Sequence, residues 1–243
     1  MKIRLDIGYD GTDFYGWQIQ PEKRTVQGEL QSALCQLLNR KVSLIASGRT
    51  DAGVHARLQV VTFEIDAVRI PPEKLALALN PFLPDDIVVY NSSLTADAFH
   101  PRRDCREKIY RYFLNWAIKH PILNRYSLFI DEEVWDKIKK LTWRFNREGR
   151  FSVFACNRGD GSHLSNRAWR VYVGTGRVSE HIGFIEFRSK GFLYKMVRRM
   201  MGLLLDIAWG RFPEIVIEEV FAGHKLEWST APAHGLFLWD VKY

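Results

Sequence analysis

Ser47-Gly48-Arg49-Thr50-Asp51-Ala52-Gly53-Val54-His55-Ala56 gathers a guanidinium, a carboxylate, two hydroxyls and an imidazole within ten residues, punctuated by two glycines. Apolar runs at 42–46 and 59–65 flank it. Gly and Asp are ordinary turn residues, so a plain connector would also look like this. The composition points further. Glycines let a backbone approach a ligand closely, and Arg49 and Asp51 brought together on a short loop would keep the carboxylate ionised at neutral pH. An ionised carboxylate on a rigid scaffold is the state a nucleophile or an electrostatic stabiliser needs. His55, beside a valine, reads as a packed or hydrogen-bonded residue rather than an acid or base.

The elements around this loop follow from periodicity. Residues 2–9 alternate Ile3, Leu5, Ile7 and Tyr9 against Lys2, Arg4 and Asp6, a half-buried strand. After a Gly- and aromatic-rich loop, Val26, Leu30, Ala33, Leu34, Leu37 and Leu38 share a helical face, with Thr25 as N-cap. Strands at 42–46 and 59–65, a short helix from Pro71-Pro72 to Asn80 and a strand at 86–91 complete an order β-α-β-β-α-β. The second half repeats that grammar: a strand over 107–117, a helix over 131–145, strands near 150–155, 168–178 and 181–188, a helix over 192–208, a helix after Pro213 and a final strand over 236–242. The economical reading is an α+β fold of two ferredoxin-like halves, 1–100 and 101–243, whose antiparallel sheets flank a central catalytic cleft.

Charge divides along the same line. The net charge is +7, but residues 1–100 carry 10 basic and 12 acidic side chains whereas 101–243 carry 25 and 16. A polyanionic partner would therefore meet mainly the second half. Five cations, Arg102, Arg103, Arg106, Lys108 and Arg111, crowd around Tyr110, and phosphate contacts are the reading preferred over a solvated face. Cys35, Cys105 and Cys156 have no metal-site or disulfide spacing, and no dinucleotide-binding fingerprint occurs. With no signal-peptide pattern and no apolar run near ~20 residues, the expectation is a cytoplasmic protein without metal, cofactor or membrane contact.

The loop Gly48–Ala56, read with its neighbours, resembles the signature of the TruA-type tRNA pseudouridine synthases. Tyr9-Asp10-Gly11-Thr12 through Gly16-Trp17-Gln18-Ile19-Gln20, Asn80-Pro81-Phe82-Leu83-Pro84-Asp85-Asp86-Ile87 and Phe99-His100-Pro101-Arg102 follow the family order. So do Lys108-Ile109-Tyr110-Arg111-Tyr112, Phe192-Leu193-Tyr194-Lys195-Met196-Val197-Arg198 and Ala231-Pro232-Ala233-His234-Gly235-Leu236. The chain departs from the family pattern before Phe154 and at Arg199-Met200-Met201.

The resemblance implies an isomerase that converts uridine to pseudouridine at positions 38, 39 and 40 of the tRNA anticodon stem-loop. The N1–C1′ bond of the nucleoside breaks and a C5–C1′ bond forms, with no net electron transfer and so no cofactor. It assigns Asp51 as the nucleophile, on C1′ or on the pyrimidine ring, or as the residue that assists glycal formation. It makes Arg198 the catalytic ion-pair partner of that aspartate, whereas helical periodicity leaves Arg198 and Arg199 equivalent at the edges of a polar stripe. Tyr110 would pack on the extruded uracil, because an unstacked base needs an aromatic platform. Arg49 would contact the RNA and help extrude the base. Arg102, Arg103, Arg106 and Arg111 would bind RNA, and members of the family act as homodimers.

Two other classes compete. An RRM-like RNA-binding protein without catalysis would share the fold class, and Gly183-Phe184-Ile185-Glu186-Phe187 resembles the second half of an RNP1 strand. The first half fails at Glu180-His181-Ile182, so 181–188 reads as an ordinary alternating strand. Glycoside hydrolysis by paired carboxylates lacks a second loop acid.

Overall fold

The computed structural model describes residues 1–66, 69–116, 119–156 and 169–243. The chain is mixed α/β and divides into two compact units, Met1–Lys108 with Phe237–Tyr243, and Ile109–Leu236. The division differs from one at residue 100, because the chain's last strand returns to the first unit.

In the first unit, β1 (Lys2–Tyr9) pairs antiparallel with β3 (His55–Glu64) and with β4 (Ile87–Thr95). The last strand, β10 (Leu236–Lys242), runs parallel to β3, with Phe237 opposite His55 and Leu238 opposite Ala56. The order in this unit is therefore β4-β1-β3-β10. β2 is only Ile45–Ala46, paired with β3, whereas β3 starts four residues earlier than periodicity indicates. His55 and Ala56 are ladder residues, so the polar loop ends before them.

Helix α1 (Val26–Leu38) carries the expected cap: the Thr25 side chain accepts from the Gly28 amide. Its buried residues Val26, Leu30, Ala33 and Leu34, with Leu75 and Leu79 of α2 (Leu75–Leu79), build the core with Ile3, Leu5 and Ile7 of β1.

In the second unit β5 (Glu107–Asn115, entering from the first unit), β9 (Ile182–Ser189), β8 (Trp169–Ser179) and β7 (Arg147–Gly149) follow in that order, with β8 antiparallel to both β9 and β7. Helix α3 (Pro121–Tyr126) and β6 (Leu128–Phe129, parallel to β5) have no counterpart in the sequence reading. Helix α4 spans Glu132–Leu141, α5 Met196–Ala208 and α6 Val216–Phe221.

Two expected elements change character here. Residues 151–154 form a 3-10 turn, not a strand. A three-residue period puts Phe151 and Phe154 on one side, where both are fully buried against Phe221 at 5.0 and 5.3 Å between ring centroids. Helix α5 begins at Met196 rather than 192, because Lys195 sits in the left-handed region at φ 56°. No helix among the described residues is long and apolar enough to cross a membrane.

Candidate active site

The loop between β2 and β3 is fastened at nearly every residue. Ser47, fully buried, donates its amide to the Val60 carbonyl (2.8 Å) and its hydroxyl to Oε1 of Gln59. Nε2 of Gln59 in turn donates to the Gly48 carbonyl (2.7 Å). Lys108, itself buried, donates its ammonium to the Ser47 carbonyl (2.5 Å). Burial pushes that ammonium's pKa down, with Cys105 opposing and Arg102 adding to the shift. Lys108 is therefore a structural anchor and not part of an exposed cationic surface.

Thr50 is held from two sides. Its hydroxyl is hydrogen-bonded to the Tyr9 phenol (2.8 Å) and its carbonyl accepts from the Trp17 amide (3.1 Å). The Gly53 amide donates to the Phe14 carbonyl (3.2 Å), and the Val54 amide closes a turn onto the Asp51 carbonyl (3.1 Å). The Gly- and aromatic-rich loop after β1 thus braces the polar loop along its backbone. Glycine is required where they touch. A Cβ on Gly16, whose φ is +89°, would stand 2.6 Å from the Thr50 carbonyl oxygen, and one on Gly11 would stand 2.1 Å from that of Val54.

At the turn, Asp51 is half-buried and Arg49 is exposed. His55 is fully buried, accepts the Gly11 amide at Nδ1 (3.0 Å) and stacks on Phe237 at 4.4 Å. It works as a peg for the loop.

In the second unit, Tyr110 is buried with its ring edge-on to Phe192 (5.3 Å, 88°). Arg198 and Arg199 differ in their partners. Arg199 lies over the Trp228 ring (4.0 Å), and the Trp228 indole donates to the Arg199 carbonyl. Arg198 donates Nε to the Ala231 carbonyl (2.8 Å), and the Ala231 amide donates back to the Arg198 carbonyl (3.0 Å).

That placement turns its charge toward two groups the sequence reading did not single out. His234 has its pKa lowered by burial and then by Arg198. Tyr112, which donates its hydroxyl to the Pro232 carbonyl (2.9 Å), has its pKa raised by burial, which Arg198 only partly offsets. Both lie in or against the 231–236 segment, whose histidine was the available signal.

The remaining predicted residues separate. Arg102, Arg103 and Arg106 are exposed. Arg111 is half-buried, 4.1 Å over the Phe184 ring, and donates Nε to Glu186 (2.7 Å). Among the described residues no group of three or more His, Cys, Asp or Glu could hold a metal ion.

A family model for tRNA pseudouridine synthases matches residues 7–102 and 138–243, which takes in the braced loop, Arg198 and the 231–236 segment. The chain belongs to the tRNA pseudouridine synthase family. It is 37% identical to tRNA pseudouridine synthase A of Ruminiclostridium cellulolyticum, over all of this chain and 99% of that one. It is 38% identical to the protein of the same name from Shouchella clausii, over all of this chain and 93% of that one. A third, from Bacillus pumilus, is 35% identical over all of this chain and 99% of its own length. The chain is accordingly an isomerase of this family, as the loop around Asp51 implies.

Proposed function

We propose that this enzyme converts uridine to pseudouridine in the anticodon stem-loop of tRNA, at positions 38, 39 and 40, with Asp51 as the catalytic nucleophile. One observation carries the reading. In a chain similar to tRNA pseudouridine synthases over its whole length, the loop that bears Asp51 is bonded through Ser47, Gly48, Thr50 and Gly53. A carboxylate on so rigid a loop is preorganised for attack, whether on C1′, on the pyrimidine ring or in glycal formation.

Each residue then has a task. The reaction breaks N1–C1′ and makes C5–C1′; the hydrogen on C5 leaves as a proton and N1 gains one. Arg198, oriented by Ala231, is the ion-pair partner of the catalytic aspartate. Tyr110, aligned by Phe192, packs on the uracil after it leaves the stack. Arg49, exposed beside Asp51, contacts the RNA and assists extrusion of the base. Arg102, Arg103 and Arg106 meet phosphates, and Arg111 contributes beside them. Each half is ferredoxin-like, the enzyme works as a homodimer in the cytoplasm, and tRNA is its partner.

Pseudouridine mapping of bulk tRNA from cells lacking the protein tests this. Loss of the modification at 38–40, restored by the wild-type gene but not by Asp51→Ala, is expected. Unchanged pseudouridine at those positions would overturn the assignment.

A further inference from the structure

The sheet of the second unit has one face that the family assignment leaves without a task. Along β8 and β9, Val171, Val173, Ile185 and Phe187 are buried, whereas Arg170, Tyr172 and Arg188 are exposed on the opposite side. Antiparallel register puts Tyr172 opposite Arg188, Gly174 opposite Glu186 and Gly176 opposite Phe184, and cross-strand partners share a face.

We propose that this face is an RNA-binding surface, on which Tyr172 stacks a base while Arg188 and Arg170 engage phosphates. It rests on the proposed function only in taking RNA as the ligand.

Tyr172 is 50% exposed although its neighbours on the strand are core residues. Beside it, Gly174 leaves bare backbone, since a Cβ there would meet nothing within 4 Å. A flat strip next to an exposed ring is the platform an unstacked base needs. The guanidinium groups are pre-set. Buried Glu186 accepts from Nε of Arg111 (2.7 Å) and Nε of Arg188 (2.6 Å), and Arg111 lies flat over Phe184. Spending a buried carboxylate on orientation fixes two planar forks, which lowers the entropy lost when a phosphate arrives. Among the described residues, the ion pair of Arg170 is with Glu148, at 3.8 Å with both side chains well exposed, a contact loose enough to exchange for a phosphate. The face carries Arg111, Arg170 and Arg188 against the carboxylates of Glu148 and Glu186, a net positive charge that a polyanion complements.

The test is tRNA-transcript affinity of the full-length protein, measured across a salt series. Tyr172→Ala should weaken binding at least about 5-fold and Tyr172→Phe should restore it, because stacking needs the ring and not the hydroxyl. Arg188→Gln should flatten the slope of log affinity against log salt by about 0.7–0.9. The proposal is overturned if Tyr172→Ala binds within twofold of wild type, or if Tyr172→Phe loses as much as Ala. It is equally overturned if Tyr172→Ala shifts the oligomeric state while tRNA affinity holds. Wild-type protein that binds tRNA but forms no pseudouridine would sink the proposed function and leave this surface to be judged by the affinities. Failure to bind tRNA at all would overturn both.

Discussion

The phenol of Tyr9 and the hydroxyl of Thr50 lie 2.8 Å apart in the buried interior of the first unit, one residue before Asp51. Burial raises the Tyr9 pKa well above the usual phenol value, against the opposing hydrogen bonds of Thr50 and Gln59, so the group stays neutral throughout the working pH range. A neutral phenol beside a loop hydroxyl positions backbone; it does not exchange protons with substrate. Tyr9→Phe keeps the ring and leaves the Thr50 hydroxyl buried without its partner, which costs about 1–3 kcal/mol. Urea denaturation should show that loss, and pseudouridine formation should slow several-fold with tRNA affinity held. An unchanged midpoint and an unchanged rate would remove Tyr9 from the positioning set.

A second expectation concerns pH. The folded pKa of His234 lies below its ordinary 6.5, chiefly through burial and then through Arg198. As pH falls through 6.5 the unfolded chain takes up a proton that the native state still refuses, so this group withdraws stability on acidification and contributes nothing above that window. Wild type should therefore lose more stability than His234→Asn between pH 7.5 and pH 5.5. Parallel stability curves would show that His234 does not titrate abnormally.

The exposed arginines at 102 and 103 give a third. Phosphate contacts lower the log affinity linearly with log salt, by about 0.7–0.9 per neutralised phosphate. The double variant Arg102→Gln/Arg103→Gln should flatten the slope by about 1.5 and weaken binding at low salt, with little change in the rate at saturating tRNA. An identical slope would take both residues out of the interface.

The loop bearing Asp51 was legible because its chemistry resides in residue types packed into a short stretch. What holds the loop was not. Tyr9 reaches Thr50 across 41 residues and Lys108 reaches Ser47 across 61, and periodicity carries no information about such partners. The five-cation cluster showed the same limit, since spacing could not distinguish buried Lys108 from exposed Arg102. Helical phase left Arg198 and Arg199 tied, because the contacts that distinguish their surroundings, Ala231 and Trp228, lie about thirty positions on. Residues 151–154 were apolar enough for a strand, but packing against Phe221 selected a 3-10 turn. The return of β10 to β3 depends on a parallel pairing that no local pattern announces.

The most direct test of the central claim is made on purified protein with a tRNA transcript tritiated at C5 of uridine. Formation of the C5–C1′ bond expels that hydrogen, so tritium release counts turnovers. Asp51→Ala should release no tritium above background while binding the transcript within a few-fold of wild type. Release at the wild-type rate from that variant would contradict the assignment of Asp51 as nucleophile.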